Sequence, residues 1–230
     1  MRGPTIIFDL DGTLIDTAPD LIATLNVIMK REGLAAVPFA TARAFIGGGA
    51  RLMIERGLAA SGHNPAPPEL VERLFLEFLD HYSDHIAERS RPFPGLEAAL
   101  DALADRDCRL AVCTNKLERL SRKLLDKLDL SSRFAAICGQ DTFGVQKPDP
   151  RALHKTIAAA GGTAIRSIMI GDSATDIRTA QAAGVPVVAV DFGYTDRPVS
   201  EFSPDRIIGH YNELIGALDS IGVFAPQKYP

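Results

Sequence analysis

Six short runs of apolar residues limit the fold of this chain more than any other feature. They lie at 5–10, 109–114, 134–138, 167–171, 185–190 and 206–209. None alternates apolar with polar residues, as a half-exposed strand would. Unbroken runs of this length suit strands covered on both faces, the condition of a parallel sheet. Helical patterns separate them. Leu96, Ala99, Leu100 and Leu103 form one stripe over 95–106, and Leu117, Leu120, Leu124 and Leu128 form another over 117–128. A helix over 150–160 starts behind Asp149 as N-cap with Pro150 at its first position, and one over 174–183 stops at Gly184. Strands alternating with helices predict an α/β chain with a doubly wound, Rossmann-like parallel sheet.

Residues 17–90 break that rhythm. Leu21, Ile22, Leu25, Ile28 and Met29 follow helical spacing, as do Leu70, Leu74, Phe78, Leu79, Tyr82 and Ile86. A third helical pattern spans 51–60, behind Gly47-Gly48-Gly49. The stretch reads as a helical unit inserted after the first strand, entered near Ile15-Asp16 and left near Phe93-Pro94-Gly95. The expected division is a core of 1–16 and 91–230 with an inserted unit of 17–90. No internal repeat is visible, and the tail from Ala225 to Pro230 is expected to be loosely held.

In an open parallel sheet, ligands bind beyond the carboxyl ends of the strands. Asp9 and Asp11 follow the first run, Thr114 and Asn115 end the second, Lys147 lies in the loop after the third, and Asp172 ends the fourth. A parallel sheet would gather all of them on one rim. Asp9-Leu10-Asp11 puts two carboxylates two residues apart, on one side of an extended backbone. Close carboxylates repel unless a cation neutralises them, which leaves an acid/base pair, a divalent-metal site, or both. Taken alone, the segment is equally compatible with a solvated Asp-Gly turn. Asp172 and Asp176 add two more acids, although Asp172 could simply cap the following helix. Magnesium suits this hard oxygen set, with the remaining positions left to water and phosphate oxygens. Thr114-Asn115-Lys116 offers a hydroxyl, an amide and the start of a helix, a favourable place for an anion and also an ordinary polar cap. Lys147, between Gln146 and Pro148, is a sensible counter-charge for a phosphate.

Composition narrows the function. Twenty-five Lys and Arg against 29 Asp and Glu give a net charge of −4, which argues against nucleic acid as the main partner. Hydrophobic residues make up 46% of the chain, enough for a packed core. No stretch approaches the ~18 apolar residues of a membrane span, and the opening shows no secretory signal region. Cys108, Cys113 and Cys138 are odd in number and form no C-x-x-C pair, so a reducing, cytoplasmic setting is expected. His81 and His85 could share a helix face but have no third ligand nearby.

Phe8-Asp9-Leu10-Asp11-Gly12-Thr13-Leu14, Thr114, Lys147-Pro148 and Gly171-Asp172-Ser173-Ala174-Thr175-Asp176 resemble the four motifs of the haloacid dehalogenase superfamily of phosphohydrolases. The likeness spans nearly the whole chain, and the insertion is similar to that superfamily's cap domain. With Ile46-Gly47-Gly48-Gly49-Ala50-Arg51 and Phe93-Pro94-Gly95 added, the chain is most similar to the bacterial phosphoglycolate phosphatases. The resemblance implies a Mg2+-dependent phosphatase for a small phosphate ester, with an aspartyl-phosphate on Asp9. Asp11 would be acid and then base. Mg2+ would be held by the Asp9 carboxylate, the Asp11 main-chain carbonyl and Asp172. Thr114 and Lys147 would hold the phosphoryl oxygens, with Asn115 nearby at the substrate, and Asp176 would support Lys147 or a metal-bound water. Gly48 and Arg51 of the cap would meet the substrate, Arg51 through its carboxylate. Dehalogenases of the superfamily lack an acid at the position of Asp11, so its presence implies ester chemistry. Sugar phosphomutases and broader sugar phosphatases share the motifs and remain alternatives. A phospho-acceptor signalling domain is a more distant one, which leaves 17–90 unexplained. The partners implied are a small phosphate ester, no nucleic acid and no membrane, for a monomer or homodimer.

Overall fold

The strand β1, Thr5–Phe8, is buried along its whole length and has neighbours on both sides. The computed structural model describes residues 3–195 and 197–224, so the tail expected to be loose lies outside the described residues. Five further strands join β1: β4 (Arg109–Cys113), β5 (Ala136–Cys138), β6 (Ser167–Gly171), β7 (Val187–Val190) and β8 (Arg206–Ile208). Their order is β5-β4-β1-β6-β7-β8, and every pairing is parallel. This is the doubly wound α/β sheet expected from the unbroken apolar runs.

Alternate residues of each strand enter opposite layers. Ile6, Phe8, Val112, Ile170 and Val190 pack with helices α5 (Leu96–Ala104), α6 (Glu118–Lys127) and α9 (Leu214–Ile221). Ile7, Ala111, Met169, Val187 and Ala189 pack with α7 (Pro150–Ala159) and α8 (Ala174–Ala182). Each fully buried Ile or Phe among them contributes about 1.5–3 kcal/mol of transfer free energy. Strand ends fall short of the apolar runs where local bonding competes. Val185 is drawn back to the end of α8, its N–H donating to the Ala180 carbonyl, and Phe134 closes a tight turn by donating to Ser131.

Between β1 and α5 the chain builds four helices: α1 (Ala18–Arg31), α2 (Phe39–Arg43), α3 (Ala50–Ala60) and α4 (Pro68–Asp84). All five apolar residues expected on the α1 stripe are buried. The buried face of α4 is Val71, Leu74, Phe75, Phe78, Leu79 and Tyr82; Ile86 is buried too but lies beyond the helix end. The His81 and His85 rings stack with centroids 4.1 Å apart, and His85 Nδ1 bonds the His81 carbonyl at 2.8 Å. Two strands of two residues each, β2 (Ile15–Asp16) and β3 (Arg91–Pro92), pair antiparallel where the chain enters and leaves this helical stretch. The buried Asp20 carboxylate ties the same crossing. It accepts from the Arg89 and Ser90 N–H groups and from the Ser90 hydroxyl, at 2.7–3.1 Å.

Candidate active site

Register brings several of the expected site residues together. Phe8 is aligned with Val112 on one side and Ile170 on the other, so β1, β4 and β6 end at one level. Asp9, Thr114 and Asp172 follow those ends, at the place where the winding of the sheet reverses about β1. All three are buried.

Lys147 is the hub. Its ammonium is buried, 2.5 Å from Asp176 Oδ1 and 2.9 Å from Asp9 Oδ1. Burial alone would lower its pKa; the charges of Asp176 and Asp9 together outweigh that and raise it. The loop that carries Lys147 is fixed by Asn115. The Asn115 amide donates to the Lys147 carbonyl at 3.0 Å and accepts from its N–H at 2.9 Å. Asn115, expected to meet a substrate, therefore spends its side chain on holding the lysine backbone.

Asp176 also closes a capping box at the start of α8. Its Oδ2 accepts from the Ser173 N–H at 3.1 Å and from the Ser173 hydroxyl at 2.6 Å, and its own N–H donates back to that hydroxyl at 3.3 Å. Ser173, not Asp172, is thus the cap of that helix. Asp172 is left to face the rim, its oxygens accepting from the Thr13 hydroxyl at 2.9 Å and the Tyr194 N–H at 2.8 Å.

Carboxylate oxygens of Asp9, Asp172 and Asp176 lie within 4.8 Å of one another. Burial pushes Asp9 up to about 6, with Lys147 opposing and Asp176 assisting. Burial, then the Asp176 and Asp9 charges, push Asp172 up to about 8. Asp9 Oδ1 is buried without an aligned hydrogen-bond donor; Lys147 reaches it as an ion pair only. A hard oxygen cluster with excess negative charge and an unsatisfied carboxylate oxygen fits a divalent cation.

Asp11 stands apart from this trio. Although two residues from Asp9, it turns to different partners: the Thr17 hydroxyl at 2.8 Å and the Lys116 ammonium at 2.9 and 3.1 Å. Lys116 was not expected as a site residue. Its ammonium also donates to the Tyr82 hydroxyl at 2.9 Å, which joins the helical stretch to the rim. The signal available was its position three residues past a strand end; its partner on α4 could not be read from spacing.

A cavity opens beside Asp9, Asp11, Thr114 and Lys116 and is bounded on the far side by α3 and α4. Gly47, Gly49 and Ala50 line it, but Gly48 and Arg51 do not. Arg51 is drawn to Glu72 on α4 in a half-exposed ion pair, and its guanidinium lies 3.8 Å from the centre of the Phe75 ring. Gly48 and Arg51, expected to meet a substrate, thus stand outside the lining of this cavity.

The fold and rim define a class: a doubly wound α/β domain with a buried carboxylate–lysine site facing inserted helices. Residues 6–190 match the family described as haloacid dehalogenase-like hydrolase. A protein named phosphoglycolate phosphatase from Mesorhizobium japonicum is 53% identical over 93% of this chain and 94% of its own length. One of the same name from Caulobacter vibrioides is 47% identical over 93% and 90%. A solved structure, described as a predicted phosphoglycolate phosphatase from Haemophilus somnus 129PT, superposes with a TM-score of 0.87 at 25% identity, covering 94% of this chain and 98% of that one. The chain belongs to the haloacid dehalogenase-like hydrolase family.

Proposed function

We propose that this chain is a phosphoric monoester hydrolase that converts 2-phosphoglycolate to glycolate and inorganic phosphate. The observation that carries the chemistry is the Lys147 ammonium held between Asp9 and Asp176 at the strand ends, with Asp172 alongside. The name shared by the relatives from M. japonicum and C. vibrioides supports the substrate.

In this reading an Asp9 carboxylate oxygen attacks phosphorus while the ester P–O bond breaks, giving an aspartyl-phosphate. Asp11 donates its proton to the departing alkoxide oxygen. It then takes a proton from the water that attacks the aspartyl-phosphate, which releases phosphate and regenerates both acids. The Thr114 hydroxyl and the Lys147 ammonium hold the non-bridging oxygens, and phosphoryl transfer rests largely on such positioning. Asp176 and Asn115 keep Lys147 in place. The Asp9 carboxylate, the Asp11 main-chain carbonyl and Asp172 would hold Mg2+, which when bound offsets the repulsion between these carboxylates and the phosphate dianion.

Residues 17–90 serve as the cap over this site, with the boundary at the β2–β3 crossing. Among the described residues no helix is long and apolar enough to cross a membrane, and all three cysteines are free. We place the enzyme in the cytoplasm on its cysteine content. The test is phosphate release with Mg2+ from a panel of phosphoglycolate, sugar phosphates and a nucleotide. Phosphoglycolate is expected to give the highest kcat/KM. A sugar phosphate that outperforms it would overturn the substrate assignment, and retention of activity in EDTA would overturn the metal.

A further inference from the structure

We infer that Lys116 recognises the carboxylate of the substrate, and that it does so by releasing Asp11 in exchange. The inference rests on the phosphoglycolate reading above. Lys116 is buried at the carboxyl end of β4. Its ammonium holds both Asp11 oxygens, at 2.9 and 3.1 Å, and the Tyr82 hydroxyl at 2.9 Å. The ammonium also lies 4.5 Å from the centre of the Tyr82 ring.

The adjoining cavity is walled by Leu21, Ile46, Met53, Phe75, Phe78 and Leu79. An anion placed against such a wall is costly unless it finds a partner. Among the described residues that line the cavity, Lys116 is the one with a cationic side chain. Arg51 is occupied by Glu72. The start of α3, at Gly49 and Ala50, borders the same space and contributes the positive end of its dipole. The features that favour a carboxylate therefore converge on Lys116.

Asp11 currently occupies that position, yet its proposed work requires it to reach the ester oxygen. An incoming carboxylate has the charge and the two oxygens needed to replace it on Lys116. No covalent bond changes in this exchange: one carboxylate substitutes for another on the ammonium, and the Asp11 carboxylate that is let go takes from solvent the proton it then donates to the leaving oxygen. Tyr82 keeps the ammonium oriented throughout. An ester without a carboxylate leaves Asp11 held by Lys116, so recognition and release of the acid are one event.

The experiment compares kcat/KM for phosphoglycolate and for its neutral amide, phosphoglycolamide, with Mg2+ present. The wild type is expected to prefer the acid by about 10- to 100-fold, the scale of one charge-assisted hydrogen bond. Lys116→Met and Lys116→Gln should each bring that ratio close to one, and thermal melting checks that each is folded. Lys116→Gln retains a donor for Asp11 or Tyr82, so it decides the matter if Lys116→Met does not fold. A wild type with no preference, or variants that lose the same factor on both esters, would overturn the inference; the latter would mean that Lys116 serves Asp11 alone. A wild type that hydrolyses neither ester would instead overturn the proposed function.

Discussion

Asp172 is enclosed so closely that two neighbouring positions can carry no side chain. A Cβ at Gly193 would lie 2.2 Å from the Asp172 Cβ, and one at Gly12, where φ is 86°, would lie 2.4 Å from Oδ2. Gly193→Ala should therefore displace the carboxylate. The Mg2+ concentration for half-maximal phosphate release should rise by about 10-fold or more, with a loss of about 1–3 kcal/mol in stability from the overpacking. An unchanged Mg2+ titration would remove Asp172 from the ligand set. Asp9→Asn is expected to abolish turnover, on the order of 10^4-fold, without lowering the melting temperature of the metal-free protein. It removes a charge that burial disfavours and leaves Lys147 paired with Asp176. Phosphate release by that variant at near wild-type rate would exclude Asp9 as nucleophile. Asp9, Thr114, Asp172 and Lys147 were legible in the sequence because each follows a strand that reads as buried on both faces, and a parallel sheet aligns such ends. Lys116 was not, because its meaning comes from Tyr82, which sequence spacing presents as one more residue of a core stripe. The pairing of Arg51 with Glu72 was unreadable for the complementary reason: nothing in the Arg51 segment announces Glu72.

At the scale of elements, strands and long helices were readable from period and length, while the pieces that join the two layers were not. Two-residue strands such as β2 and β3 hold too few residues to show a period, and the five residues of α2 complete little more than one turn. Yet α2 carries a latch. Arg43 donates to the Phe192 and Gly193 carbonyls at 2.9 and 2.6 Å, and its guanidinium lies 5.2 Å from the Tyr194 ring centre. Tyr194 in turn holds Asp172 through its N–H, and its hydroxyl donates to Asp16 and accepts from the Ala18 N–H. The helical layer is thereby coupled to a proposed metal ligand through one loop. Arg43→Ala is expected to raise KM by about 10-fold and to weaken Mg2+ activation in parallel, because carbonyl contacts by a guanidinium are worth roughly 1.5–3 kcal/mol. If KM rises while the Mg2+ dependence stays fixed, the latch acts on the helices alone.

For the whole molecule, the acidic rim makes stability depend on pH and metal together. Asp9 and Asp172 stand at about 6 and about 8 in the folded, metal-free protein, above the ordinary 3.8. Between those limits the folded state binds more protons than the unfolded chain, so their contribution to stability is complete below pH 4 and is lost as pH rises through 6 and 8. Asp149 runs the other way but falls outside the window, since Arg151 holds it down at about 2. Mg2+ must displace the proton that Asp172 retains at low pH, and at high pH it meets carboxylates that already need a counter-charge. The rise in melting temperature on adding Mg2+ should therefore be small at pH 6 and large at pH 8.5. At a hundredfold excess over Kd it should reach about 2.7 kcal/mol, or about 5–10 °C for a chain of this size. Differential scanning calorimetry at the two pH values, each with Mg2+ and with EDTA, measures it. An equal shift at both would mean that the cation does not bind at these carboxylates, and the tension among Asp9, Asp172 and Asp176 would then have to be relieved by Lys147 alone.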